Sequence, residues 1–350
     1  MKYFGVGNES GGCGGNLSAE AYAMEVRRYA SFLQPFDDTP LHRVASGPMG
    51  DDPAWTRQFF AAMAGCGGNC PNRVNMIQAF AMHYYTGGPS GTVTTYDEGQ
   101  WYELFRQALR IEPLIVQTRA IMDGFDPQRH VGLVVDEWGV WLPDDPGSAN
   151  TPLFARFYPS HEGEMPRICY HQTTIRDALV SALHLDTFNR HADKVVMANM
   201  SFAVNVFKSL VFTDGPDMVA TPTYHVFEMY APHQGAEALP CHILTDEIAY
   251  AHEAGKGSVP RVTGSCSRKD GVVTLSLVNT HVAEPVRLDV DLLGMEEATL
   301  TRWRVLRADE IHARNTFERP DRVVPKDVGS LERIELPPAS VNVLTFEVLE

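Results

Sequence analysis

The sequence predicts an α/β domain built on a parallel sheet, followed by an all-β antiparallel sandwich. Through the first two thirds of its 350 residues, short apolar runs rich in β-branched and aromatic side chains alternate with amphipathic stretches. From about Pro222 onward the pattern changes to period-two alternation, broken by polar segments that carry Gly or Pro. The 44% hydrophobic content is enough to fill two cores. We therefore expect residues 1–215 and 216–350 to form two domains.

Each element has a local reason. Lys2–Gly7 reads as a strand, and Ser18–Leu33 as a helix with Ser18 at its N-cap. His42–Ser46 is a second strand, and Pro53–Ala64 a helix opened by Pro. Met76–His83 is a buried strand, Glu98–Met122 one long helix, and Val131–Glu137 a β-branched strand that ends in acids. Thr173–Asn189 then reads as a helix and Lys194–Ser201 as a strand. That makes five strand-then-helix units, which fit either a doubly wound open sheet or part of a (β/α)8 barrel; periodicity does not choose. Gly271–Thr280, Val286–Leu293, Ala298–Leu306 and Ser340–Val348 are the strands expected of the sandwich.

Composition excludes several classes of function. Forty-four acidic against 29 basic residues leave a formal net charge of -15. Such a surface repels phosphate backbones and anionic lipid, so neither nucleic acid nor membrane is an expected partner. No apolar run approaches the ~20 residues of a membrane span. MKYFGVGNES shows no signal-peptide h-region, and six scattered cysteines fit a reducing compartment, so the expected location is cytoplasmic. Cys66 and Cys70 are the only close pair, with no second pair at zinc-site spacing, and no metal or cofactor is expected.

Two acids carry the chemistry. Glu9 follows the first strand, and Glu137 ends the strand of VGLVVDEW. In parallel α/β folds the C-terminal strand edge builds the active site. Two carboxyl groups about 5–5.5 Å apart suffice to hydrolyse a glycosidic bond with retention, one as nucleophile and one as acid/base. A helix cap or a surface salt bridge is the more ordinary explanation of either acid alone, and the two acids together bring the readings level. Other candidates are weaker. Ser46-Gly47-Pro48 is no nucleophile elbow, and Gly12–Asn16 lacks the Lys-Ser/Thr of a phosphate loop. No two of His171, His184 and His191 stand one helical turn apart as metal ligands do, and Asp51 and Asp52 read as caps of the helix at Pro53.

The flanking words add to this. The stretch GVGNESGGCGGNLSAEAYAMEVRRYASF resembles the acid/base segment of α-L-arabinofuranosidases of glycoside hydrolase family 51. The likeness continues, in the family's order, through SGPMGDDPAW, MHYYTG, VDEWGVW, TPTYHVFEMYAPHQGA and NTFERPDRVVP. The resemblance implies a (β/α)8 barrel, here about five units of it, with a C-terminal β-sandwich. It implies release of terminal non-reducing α-L-arabinofuranosyl residues from arabinan- or arabinoxylan-type oligosaccharides by double displacement, in a protein that is often a homo-oligomer. It makes Glu9 the acid/base and Glu137 the nucleophile. Asn8 would bond the sugar 2-hydroxyl, His83 and Tyr85 would orient the nucleophile, and Trp138 and Trp141 would offer aromatic walls.

The likeness has three departures. The acid/base strand is the fourth of the family's barrel, so three units are expected to be missing ahead of it. Phe202 stands where many relatives have Gln, and Gly11 stands where the family's GNENWG has Trp. An inactive remnant serving as an interaction module, or a related clan enzyme such as a β-xylosidase, are the alternative readings.

Overall fold

The computed structural model describes residues 2–65, 72–146, 171–295 and 298–348. The Cys66 and Cys70 pair lies outside them. Contacts divide the chain into two compact units. One comprises Met1–Tyr85, Arg110–Trp138 and His191–Met200, and the other Thr86–Leu109, Gly139–Arg190 and Ser201–Glu350.

The first unit is built on a sheet of β1 (Tyr3–Val6), β2 (His42–Ala45), β3 (Ala79–Thr86), β4 (Gly132–Val140) and β5 (Val195–Ala198). Spatial order follows sequence order, and the β1–β2, β2–β3 and β4–β5 registers are parallel. A doubly wound sheet reverses its strand order at a switch point. This sheet has no reversal, so it is a barrel-type sheet of five strands.

Local sequence explains the helices that cover it. In α1 (Ala19–Phe32) the buried residues Ala19, Tyr22, Ala23, Val26 and Ala30 repeat at helical spacing, and the Ser18 hydroxyl accepts from Ala21 N–H. Asp52 caps α2 (Pro53–Ala64), accepting from Trp55 N–H at 2.8 Å, as its sequence suggests. Tyr22, Trp55, Phe59, Phe60 and Phe80 form a continuous aromatic cluster with centroid separations of 5.0–5.9 Å, tying α1 and α2 to β3.

Several boundaries differ from expectation. The single helix over 98–122 is two, α3 (Glu98–Leu109) and α4 (Ile111–Phe125). Pro113 has no N–H to return to Leu109, so the ladder breaks there. β3 begins three residues later than expected, after a 3-10 turn at Val74–Met76, and β4 runs past Glu137 to Val140.

The second unit contains α3, α5 (Ile175–Arg190), the β6–β7 hairpin (Val211–Asp214, Asp217–Ala220), α6 (Pro222–Tyr230) and an antiparallel sandwich. Its strands include β8 (Glu237–Leu239), the β9–β10 hairpin (Glu247–His252, Gly255–Pro260), β11 (Val262–Lys269) and β12 (Val272–Asn279). β13 (Val286–Leu288), β14 (Ala298–Arg307), β15 (Lys326–Asp327), β16 (Ile334–Leu336) and β17 (Ser340–Val348) complete it. Six strands lie in the order β15-β14-β17-β12-β11-β8, and β13 pairs with β16. Alternate residues of β12, β14 and β17, among them Val273, Leu275, Trp303, Leu344 and Phe346, fill one core. Arg176 is buried beneath the Tyr96 ring, 3.4 Å from its centroid, and donates to the carbonyls of Ser90 and Thr92.

One buried acid of this unit makes stability pH-dependent. The Asp186 carboxylate accepts from the hydroxyls of Ser265 (2.7 Å), Ser276 (2.5 Å) and Tyr230 (3.1 Å). Burial lifts it from 3.8 to about 6, against the opposing pull of those hydroxyls and of Arg190. A carboxyl lifted on folding stabilises fully below its unfolded value, and that stability is lost as pH rises through the folded one. The lift corresponds to about 3 kcal/mol lost between pH 4 and pH 8. In Asp186→Asn, melting temperatures at pH 5 and pH 8 should converge relative to wild type. An unchanged difference would show that Asp186 is not the titrating group.

No helix among the described residues is long and apolar enough to cross a membrane. Cys13, Cys241 and Cys266 are free thiols.

Candidate active site

The turn after β1 and strands β3 and β4 bring the predicted acids together. After β1, Gly7 turns the chain at φ +100° and Glu9 takes a left-handed φ of +42°. That conformation costs a non-glycine residue on the order of 1–3 kcal/mol, so its surroundings must hold it. They do: the Glu9 carbonyl accepts from Gly12 N–H (2.8 Å) and Gly14 N–H (3.1 Å), and Ser10 N–H donates to Ser46 Oγ. The Tyr22 hydroxyl donates to the Val6 carbonyl and accepts from Ser46 N–H, fastening the C-terminal end of β1 to that of β2.

On β3, period two turns His83 and Tyr85 to the same face. His83 is only 4% exposed and sits between carboxylates. Its Nδ1 lies 2.9 Å from Glu9 Oε1 and 3.6 Å from Glu137 Oε2, and its Nε2 lies 3.1 Å from Asp136 Oδ1. The Tyr85 hydroxyl donates to Glu137 Oε2 at 2.5 Å. Single ligand-type atoms of Glu9, His83 and Glu137 all fall within 4.8 Å of one another. Side chains of Glu9 and Glu137 remain 12% and 23% exposed, so both are open to a small molecule.

Electrostatics separate this cluster from a metal centre. Burial alone would push His83 down, but its contacts with Asp136 and Glu9 and the Glu137 charge outweigh burial and lift it to about 9. A ring protonated at neutral pH must lose its proton before it can ligate a cation. The trio has the spacing to hold a divalent ion, but its charge state fits a carboxylate pair with a cationic bridge. The Cys13 thiol donates to Glu9 Oε2 at 2.8 Å, and that bond, with burial and the charges of Glu9 and Glu137, pushes the thiol upward.

The profile described as the alpha-L-arabinofuranosidase C-terminal domain matches residues 136–340. This chain belongs to that family. An intracellular exo-alpha-L-arabinofuranosidase of Bacteroides ovatus is 32% identical across 99% of this chain and 64% of its own length. An intracellular exo-alpha-(1->5)-L-arabinofuranosidase of Streptomyces lividans is 24% identical across 92% of this chain and 46% of its own. Among solved structures, the family 51 arabinofuranosidase of Xanthomonas axonopodis pv. citri superposes with a TM-score of 0.83 at 34% identity. That match covers 99% of this chain and 66% of the Xanthomonas one, so this chain spans less than two thirds of these relatives.

Within the family frame, the structure gathers Glu9, His83, Tyr85 and Glu137 into one cluster. Asn8, on the same turn, is exposed. Trp138 departs from expectation: fully buried, it presents no face to a sugar. Trp141 belongs to the second unit, where its ring stacks on Phe207 at 4.5 Å. Phe202 lies in that unit too, half exposed at φ +65° and edge-on to Phe207. The position of the absent family Trp is filled from elsewhere, since a Cβ on Gly11 would come within 2.9 Å of the Trp55 indole.

Sequence reasoning missed two members of the cluster. Asp136 immediately precedes Glu137, and strand alternation assigns it to the opposite face. Cys13 follows Glu9 by four residues in a Gly-rich turn, a signal too weak to read without the fold.

Proposed function

We propose that this chain carries the catalytic centre of a retaining exo-α-L-arabinofuranosidase that removes terminal arabinofuranosyl units from arabinan- or arabinoxylan-type oligosaccharides. The observation that supports it best is the pair of carboxylates, Glu9 and Glu137, with oxygens within 4.8 Å and a shared histidine. Inverting enzymes need about 6.5–9.5 Å between carboxyl groups to admit a water, and retaining ones about 5–5.5 Å. Oxygens that near one another favour the second spacing and suit direct attack.

Glu137 attacks the anomeric carbon, its inner oxygen oriented by the short Tyr85 bond, and a glycosyl ester forms as Glu9 protonates the leaving oxygen. Glu9 then takes a proton from water, which opens the ester and restores the starting configuration. Asn8, exposed beside Glu9, is placed to meet the sugar 2-hydroxyl, a contact that strengthens in an oxocarbenium-like transition state. Residues 1–215 supply the chemistry in this reading and 216–350 the sandwich. The likeness to intracellular exo-arabinofuranosidases of Bacteroides ovatus and Streptomyces lividans supports a cytoplasmic location and the arabinofuranosyl substrate.

The test is hydrolysis of p-nitrophenyl α-L-arabinofuranoside by the folded chain, with the first-formed anomer read by proton NMR and p-nitrophenyl β-xyloside alongside. We expect α-arabinose first and no comparable xyloside turnover. The β-anomer first, faster xyloside hydrolysis, or no turnover from folded protein would each defeat the reading.

A further inference from the structure

We propose that Glu9, His83 and Asp136 form a relay in which the proton that Glu9 delivers rests on His83 Nδ1 between turnovers, with Asp136 as the positioning residue that keeps the ring charged and aligned. The inference rests on the assignment of Glu9 as acid/base and deepens it.

The argument is one of donors and acceptors. Both ring nitrogens of His83 face carboxylate oxygens, Nδ1 at 2.9 Å from Glu9 and Nε2 at 3.1 Å from Asp136. Nδ1 is hydrogen-bonded to Glu9, whereas Asp136 Oδ1 meets Nε2 as an ion-pair contact and not as an aligned hydrogen bond; a neutral ring with its N–H on Nδ1 would turn the Nε2 lone pair toward that charge. Two arrangements satisfy the geometry. In one, the ring is an imidazolium between two carboxylates. In the other, the ring is neutral with its N–H at Nε2, facing the Asp136 charge, and a protonated Glu9 donates to the Nδ1 lone pair. They differ only in the place of one proton along a 2.9 Å contact.

The surroundings favour the first at rest. Glu9 from the turn after β1, and Asp136 and Glu137 from β4, place three acids around one buried ring. Among the described residues, two donors also face the cluster: the Cys13 thiol on Glu9 Oε2 and the Tyr85 hydroxyl on Glu137 Oε2. Each donor stabilises a carboxylate, and each carboxylate stabilises the cation between them. The high value of His83 given above agrees with that balance.

The bookkeeping closes over a cycle. The Nδ1–H bond breaks and an O–H bond forms on Glu9 as substrate enters and displaces water. That O–H bond breaks as the proton passes to the glycosidic oxygen, while the bond to the leaving group breaks and the Glu137 ester bond forms. In the second half Glu9 takes a proton from the attacking water and returns it to Nδ1. No proton need enter from bulk solvent, and the Asp136 charge faces Nε2 throughout.

The experiment is NMR of the full chain, with ring-15N histidine and carboxyl-13C glutamate, titrated from pH 5 to 9.5. Glu9→Gln and His83→Gln supply the assignments. At pH 7 we expect both nitrogens of His83 protonated and the Glu9 carboxyl ionised. Asp136→Asn should lower the ring midpoint by more than one pH unit, and Asp136→Glu should recover most of that shift. A neutral ring at pH 7, or a midpoint that ignores Asp136→Asn, overturns the relay.

Turnover supplies the second readout. With a poor leaving group, the basic limb of kcat/KM should move with the ring midpoint in Asp136→Asn, and kcat should fall about 10–100-fold. A limb that stays while the midpoint moves also overturns it. Absence of hydrolysis from folded wild-type chain defeats the glycosidase reading instead, and the NMR titration still decides where the proton rests.

Discussion

Glu137→Ala should lose turnover of every α-L-arabinofuranoside, on the order of 10⁴-fold or more in kcat, whatever the leaving group. The ester bond needs the Glu137 oxygen itself, and no neighbour replaces it. His83 carries no negative charge to offer, and Glu9 is fastened by its own turn. Glu9→Ala should behave differently. A dinitrophenolate departs without a proton, so its release should fall little, while an alkoxide leaving group should lose about 10²–10⁴-fold. Steady-state kinetics on a leaving-group series reads both. Near-equal losses across the series in Glu9→Ala would contradict the acid assignment, and residual wild-type-like activity in Glu137→Ala would contradict the nucleophile.

Gly14→Ala should cost about 10²-fold although Gly14 touches no reacting atom. A Cβ there would stand 1.5 Å from the Asn8 carbonyl oxygen and 3.1 Å from that of Glu9. No rotamer relieves a clash with backbone, so the turn must shift. That shift breaks the Gly14 N–H bond that helps hold Glu9 in its left-handed conformation. An ångström of misplacement at an acid costs about 10²-fold. The expected result is a loss of at least that size in kcat with poor leaving groups, together with a lower melting temperature. Gly124→Ala is the control: it lies in α4 with nothing within 4 Å of the added methyl, and should raise stability by about 0.5–1 kcal/mol with kinetics unchanged. Wild-type kinetics in Gly14→Ala would show that the turn does not position Glu9.

The acids, and the sheet edge that presents them, were legible because parallel strands carry their chemistry at one end. His83 and Tyr85 were legible through the family resemblance, and period two keeps them on one face of β3. The same rule misled at Asp136, which precedes Glu137; at Trp138, which follows it, the expectation came from the family likeness and alternation agrees with the burial. Alternation treats the two flanking residues alike, but the structure leaves Asp136 against His83 and buries Trp138 completely. Strand order settled a point that periodicity had left open, since five strands in sequential order exclude the doubly wound alternative.

Other features depend on long-range packing that a single sequence does not display. Strand β10, GKGSVP, carries no period-two apolar pattern and is a strand because it pairs with β9 along its whole length. The Trp55 ring meets Gly11 across 44 residues of chain, filling space that the family's motif assigns to a local side chain. Pro113, by contrast, is a local signal: its missing N–H divides the expected 25-residue helix into α3 and α4.

The most direct test of the central claim is to trap the ester. The chain is incubated with a 2-fluorinated α-L-arabinofuranoside bearing a dinitrophenyl leaving group, which forms the intermediate faster than it breaks down. Peptide mass spectrometry then locates the sugar. We expect one sugar per chain, on the peptide containing Glu137, and none in Glu137→Gln. A label on Glu9, or hydrolysis that proceeds with no labelled peptide, would contradict the double-displacement account.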